Sequence, residues 1–179
     1  DEAIASLRRY FREERDEELS EMRARFLLDF FQKEIAPFAY NRGVKDAERL
    51  AAMGVGKRPY VVYVGYWDDR KDVPTMLRAV HQARRSTDVE LVWAGHFTAR
   101  DMEKLRRYLA RHGVLDAFAE VRMTGFVSAD DLAVLYRHAQ AHLFLSRLEG
   151  FGLSVAEAMA SRCPVIVAKN SGADEIGGD

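Results

Sequence analysis

From Tyr60 onward the chain alternates strand-length apolar runs with amphipathic stretches of helical length, and no other feature restricts the fold as strongly. The runs are Tyr60-Val61-Val62-Tyr63-Val64 and residues 90–94, 121–124, 142–145 and 165–168. Between them, residues 73–86, 100–112, 129–139 and 153–161 carry apolar positions at helical spacing. Short apolar runs of this kind suit strands covered on both faces, and a connection that contains a whole helix lets the next strand run parallel to the last. Five such strands with four helices between them predict an α/β fold built on a doubly wound parallel sheet. At 179 residues the chain has room for one sheet of this kind and an appendage, and not for two.

The appendage is residues 1–57, read as a helical and linker segment ahead of an α/β domain at 58–179. Ile4, Leu7 and Phe11, then Leu19, Met22, Phe26, Phe30 and Phe31, recur at helical spacing on either side of a charge-dense stretch at 12–18. One long amphipathic helix and two shorter ones both fit. The apolar stripe needs a cover, either the α/β domain or a domain beyond these residues. Asn41-Arg42-Gly43 reads as a turn, and residues 46–53 as a short helix stopped by Gly54 and Gly56.

A net charge of −1 gives no global attraction to nucleic acid, so the partner has to be recognised at a site. The single cysteine, Cys163, has no internal disulfide partner and, just ahead of Pro164, reads as a small buried residue. No apolar run approaches the ~20 residues of a membrane span, and the acidic start is unlike a signal peptide, so a cytoplasmic setting is expected. His138 and His142 are four apart, but one falls at a helix end and the other at a strand start, so both read as structural. Asp-x-Asp does not occur and no clustered acids suggest a magnesium site, so no metal is expected.

The stretch that carries chemistry is Glu149-Gly150-Phe151-Gly152-Leu153-Ser154-Val155-Ala156-Glu157. It follows an apolar run and precedes Leu153, Ala156, Met159 and Ala160 at helical spacing, which makes it a strand-to-helix turn. In parallel sheets such turns sit where ligands bind, with the helix's unpaired amides and positive dipole end facing the crevice. Gly150 and Gly152 would let a phosphate approach the backbone closely. Carboxylates repel phosphate, so Glu149 and Glu157 suit hydroxyls on either side of it, as in a nucleotide sugar. Both acids equally fit a plainer part, complementing the helix dipole, and spacing alone leaves the two readings open.

Residues 146–160 followed by Pro164-Val165-Ile166 resemble the Glu-x7-Glu signature of retaining GT-B glycosyltransferases, the group 1 type of glycosyltransferase family four. The resemblance covers roughly residues 58–179, which would be the Rossmann-like C-terminal domain that binds the donor. It implies that Glu157 accepts hydrogen bonds from ribose hydroxyls, that Glu149 contacts the transferred sugar, and that the backbone of Gly150, Phe151, Gly152 and Leu153 holds the sugar and phosphate. After the first strand, the family carries an arginine directly behind the glycine and a lysine five positions later. Here Tyr66 takes the arginine position, Lys71 matches the lysine, and Arg70 resembles a variant that closes the loop with Arg-Lys. The catalytic residues implied are therefore Arg70, Lys71 and Glu149, the cations opposing the charge that develops on the departing diphosphate. Gly65, Gly95, His96, Gly125 and Phe126 fall where the family holds the nucleotide. A dinucleotide-binding turn needs three glycines after this strand and only Gly65 is present, which argues against a nicotinamide or flavin enzyme. Arg162 replaces a residue that is often glycine, and Glu175 resembles a further family acid.

The activity implied is metal-independent, retaining hexosyl transfer from a nucleotide-diphosphate sugar, either GDP-mannose or a UDP-sugar, to a glycan, lipid or small-molecule acceptor, with no cofactor. Retention implies attack from the face the leaving group departs from. The partner implied is an acceptor-binding domain or subunit, without which the isolated chain is expected to be inactive. Family members continue beyond the fifth strand into a sixth strand and a helix, so the domain is read as truncated at its C-terminus. Any contact with the inner face of a membrane would come through parts outside this chain. Two alternatives remain beside this reading: a non-catalytic scaffold of the same fold, and a GT-B sugar-nucleotide epimerase or phosphorylase.

Overall fold

A computed structural model describes residues 2–149, 151–169 and 176. The chain divides into two compact units, Asp1–Ala47 and Glu48–Asp179, and the division falls inside a helix.

The first unit contains α1 (Glu2–Arg15), α2 (Glu21–Phe30), one π-type turn (Phe31–Ile35) and the start of α3 (Ala36–Ala52). Of the two arrangements the sequence allows before residue 31, separate helices form: Asp16 takes a φ of 49° just after α1 ends. Ile4, Leu19 and Ala24 bury against each other with Phe11, Leu27 and Leu28 around them, and Arg8 Nε donates to the Leu19 carbonyl at 2.9 Å. The apolar stripe is therefore partly covered within the unit itself, while Met22, Phe26 and Phe30, spaced by four along α2, stay exposed. The turn expected at Asn41-Arg42-Gly43 is absent, because all three lie inside α3. A glycine weakens a helix interior by about 1 kcal/mol relative to alanine, and helix formers on both sides outweigh that.

In the second unit, β1 (Tyr60–Val64) and β2 (Glu90–Ala94) have the bounds the sequence implies. β3 (Arg122–Gly125) lies one residue later than expected and β4 (Ala141–Phe144) one residue earlier, and β5 (Val165–Val167) is one residue shorter. The helices are α4 (Val73–Ala83), α5 (Ala99–Arg111), α6 (Leu115–Ala119), α7 (Ala129–His138) and α8 (Leu153–Ala160). Helix α6 was not foreseen: five residues are too few to display a period. Thr98 and Ser128 fix two helix starts, each accepting the amide three residues on.

Among the described residues the strands form one parallel sheet of order β3-β2-β1-β4-β5. Alternate side chains take opposite faces. Tyr63, Leu91, Trp93 and Leu143 bury with α4, α5 and α6, whereas Tyr60, Val62, Val92 and Ala94 bury with α7 and Ala158 of α8. Leu50 and Val55 belong to that second core with Met53 packed against it, so the end of α3 and the turn after it contribute to the core under the sheet.

Candidate functional site

The strand order puts β1 beside β4, and from there the chain winds outward in opposite directions, to β2 and β3 on one side and β5 on the other. A crevice opens at such a switch point, outside the carboxyl ends of the strands. The loops at residues 65–72 and 145–152 border it, and they hold most of the sequence-derived site; Gly150, like Glu175 further on, lies outside the described residues.

The strand ends are stitched by backbone. Gly65 N–H donates to the Ala94 carbonyl at 2.9 Å and Gly95 N–H to the Gly125 carbonyl at 3.0 Å. A Cβ on Gly95 would lie 2.6 Å from the Gly65 carbonyl oxygen, so no other residue fits without moving backbone. That oxygen also accepts from the Trp93 indole at 2.9 Å. His96 is exposed beside Gly95, and the Phe126 ring beside Gly125 is 80% exposed.

The first loop separates the two cations that the sequence pairs. Asp68 caps a short 3-10 turn (Asp69–Lys71), accepting the Arg70 amide at 2.8 Å and the Arg70 guanidinium at 2.7 Å. The guanidinium hydrogen bond holds the Asp68 carboxyl below its ordinary range and leaves Arg70 facing solvent. Lys71 instead turns inward, with Nζ 5.0 Å from the Phe144 ring centroid and ion-paired to Glu149. The two side chains are 18% and 25% exposed, so the pair is largely withdrawn from water. Asp72 follows in the left-handed region at φ 46°, and Arg147 from the second loop donates to it at 2.9 Å. The Arg147 amide also donates to the Arg70 carbonyl at 2.7 Å. Three links thus tie the loops across the switch point. Tyr66, at the position the family gives to arginine, stacks on Phe97 at 5.5 Å and donates its hydroxyl to Asp101 at 2.9 Å. It forms wall, not charge.

Helix α8 begins at Leu153 behind Gly152, whose φ of 72° redirects the chain into the helix. The first amides of any helix have no carbonyl one turn behind them, so those of Leu153 and Ser154 point to the helix's open end. The Phe151 and Leu153 side chains are exposed. Glu157 lies one turn in, also exposed, and its charge adds to burial in raising the pKa of the Tyr136 phenol. At the far end Arg162 adopts φ 62°, the conformation that makes glycine common there.

His142 ties α8 to the sheet. The ring is fully buried, and a carbonyl can only accept, so Nδ1–H donates to Val62 O at 3.1 Å and Nε2 accepts from the Ser154 hydroxyl at 3.2 Å. Burial pushes its pKa down to about 4, so the imidazole is neutral. Its structural part is as the sequence suggests, and among the described residues no group of three or more His, Cys, Asp or Glu could hold a metal ion. Cys163 is buried as expected. Asp68, Asp72, Arg147 and Ser154 were not singled out beforehand. Only Asp68 left a local signal, an acid just ahead of a short basic turn; Asp72 and Arg147 are 75 residues apart.

Comparison with known proteins agrees with this geometry. Residues 46–179 match the family described as glycosyl transferases group 1, and residues 1–57 match a second family, described as an uncharacterized conserved protein (DUF2164). The chain is 29% identical over 122 residues to the O-antigen chain mannosyltransferase B of Escherichia coli, covering 67% of this chain and 31% of that protein. It is 31% identical over 139 residues to the GDP-mannose:cellobiosyl-diphosphopolyprenol alpha-mannosyltransferase of Xanthomonas campestris, covering 74% and 35%. Among solved structures, a sucrose-phosphate synthase from Thermosynechococcus elongatus superposes with a TM-score of 0.60 at 29% identity, over 72% of this chain and 32% of that one. The chain spans about a third of the length of the curated relatives it matches. No helix among the described residues is long and apolar enough to cross a membrane. With its family match covering the whole parallel sheet and both loops of the crevice, the chain belongs to the glycosyl transferases group 1 family.

Proposed function

We propose that the α/β unit is the donor-binding half of a retaining, metal-independent glycosyltransferase that moves a hexose, mannose foremost, from a nucleotide-diphosphate sugar. The observation that carries this is the convergence of Lys71 and Glu149, from two loops of the switch point, beside the start of α8. An ammonium and free helix amides suit a diphosphate, and a carboxylate next to them suits a sugar hydroxyl. In this reading Lys71 opposes the charge on the departing diphosphate, helped by Arg70 once its guanidinium leaves Asp68. Glu149 and the amides of Phe151, Gly152 and Leu153 orient the sugar. Glu157 takes the ribose, and the backbone at Gly65, Gly95 and Gly125 with His96 and Phe126 borders the base. A GDP-linked mannose is the first choice of donor because two of the relatives above are named mannosyltransferases, one of them GDP-mannose-dependent. The acceptor surface and the shielding from water are assigned to a second domain or subunit, so the 179-residue chain binds donor and transfers nothing by itself.

Calorimetry with GDP, GDP-mannose, UDP and UDP-glucose tests the reading. Binding of GDP-mannose ahead of UDP-glucose is expected. A UDP preference would move the donor assignment, and no binding of any of the four would overturn the donor site. A transfer assay on the same protein is expected to give no product until an acceptor domain is supplied, and turnover by the chain alone would refute that division of labour.

A further inference from the structure

In the two loops of the crevice, each described cation is already held by a carboxylate: Arg70 by Asp68, Arg147 by Asp72 and Lys71 by Glu149. A diphosphate entering this place meets paired charge, and to reach a cation it must displace an acid. The three pairs are not equivalent. Arg70 and Asp68 are two residues apart inside one capped turn, and Arg147, 68% exposed, reaches from the surface to Asp72. Lys71 with Glu149 is the pair in which both members are withdrawn from water, and its acid is the one next to the turn into α8.

We propose that Glu149 sets the specificity of the site by competing with the diphosphate for Lys71, so that a sugar-bearing donor is retained and the bare nucleoside diphosphate left after transfer is expelled. The inference rests on the donor-site reading above. When a donor enters, Lys71 exchanges Glu149 for the diphosphate, and the sugar hydroxyls give Glu149 replacement hydrogen-bond donors. A bare diphosphate, with its extra negative charge, also draws on Lys71, but it leaves Glu149 beside a stronger like charge with no sugar hydroxyl to accept from, an uncompensated state that is unfavourable at a site withdrawn from water. Once the sugar has gone to the acceptor, Glu149 returns to Lys71 and the diphosphate loses its cation. A residue that only touches the sugar would leave diphosphate affinity unchanged when removed. A competitor would raise it.

The test is calorimetry of GDP and GDP-mannose on the full chain, with UDP and UDP-glucose as a second pair, for the wild type, Glu149→Gln and Lys71→Met. Glu149→Gln is expected to bind GDP about fivefold more tightly than wild type, a change of about 1 kcal/mol, and to lose most of the preference for GDP-mannose over GDP. Glu149→Ala removes the same charge and should shift GDP affinity in the same direction. In the Lys71→Met background, adding Glu149→Gln should bring no gain, because the contested cation is gone. Wild-type binding of GDP with no tightening in either Glu149 variant would overturn the competition and leave the donor site standing. Absence of nucleotide binding by the wild type and both variants would overturn the donor site and the competition together.

Discussion

Replacing Gly95 by alanine puts the backbone of the crevice to a direct test. The added Cβ would lie 2.6 Å from the Gly65 carbonyl oxygen and 3.0 Å from the edge of the Phe97 ring. A side chain could swing aside; the carbonyl cannot, because Gly65 follows the central strand β1 and its oxygen also accepts from the Trp93 indole. Forcing one carbon into a packed place costs about 1 to 3 kcal/mol, and a lengthened Trp93 hydrogen bond adds about 1. The expected loss is therefore about 2 to 4 kcal/mol. Gly125→Ala is the control at the neighbouring strand end, where a Cβ meets nothing within 4 Å and only a φ of 75° opposes it. That left-handed penalty is about 1 to 2 kcal/mol. Both tryptophans, Trp67 and Trp93, lie in the α/β unit, so urea unfolding followed by tryptophan fluorescence reads this unit alone. With a urea slope of about 2 kcal/mol per molar, Gly95→Ala should lower the midpoint by about 1 to 2 M. A Gly95→Ala midpoint no lower than that of Gly125→Ala would refute the steric argument.

Further outcomes are expected. Lys71→Ala should weaken binding of a nucleoside diphosphate far more than of the nucleoside and flatten its salt dependence, with Arg70→Ala milder because that guanidinium faces water, which screens it; equal losses for both ligands in calorimetry would reduce the pair to loop support. Glu157→Ala should cost nucleoside and nucleoside diphosphate alike about 1 to 3 kcal/mol, the value of hydrogen bonds to a charged acceptor, and unchanged nucleoside affinity would remove the ribose role. His142, neutral with a pKa near 4 against an ordinary value of 6.5, contributes stability that is complete above pH 6.5 and is lost as pH falls towards 4, since the unfolded chain takes up the proton first. The loss is about 3 kcal/mol at most, so His142→Asn should flatten the unfolding free energy between those pH values, and an unchanged slope would mean that other groups set it.

The sheet was legible because its strands announce themselves twice. Tyr60-Val61-Val62-Tyr63-Val64 is rich in β-branched and aromatic residues, and glycine follows it, as Gly95 follows β2. The start of α8 was legible from Gly152 and the apolar spacing behind it. What stayed hidden was weak locally or remote in sequence. Gly43 looked like a turn because propensity is a small term that a long helix overrides. The separation of Arg70 from Lys71 could not be read, since it depends on Asp68 turning back within the loop and on Glu149 arriving from 78 residues away. The same distance conceals that the acid expected to await a sugar is bound to the cation expected to await a phosphate.

The buried imidazole of β4 has a consequence for how the strand finds its place. Ala141-His142-Leu143-Phe144 is nearly uniform in apolar character, so hydrophobicity alone hardly distinguishes one alignment of β4 from the next. His142 does: set opposite Val62, it reaches the Val62 carbonyl and the Ser154 hydroxyl. A slip by one residue would turn the ring to the other face, among Tyr63, Leu91 and Trp93, an apolar cluster. An unpartnered ring there would cost on the order of 1 to 3 kcal/mol. The histidine thus acts as an alignment key, making a misthreaded sheet the less stable product of folding without itself touching a ligand.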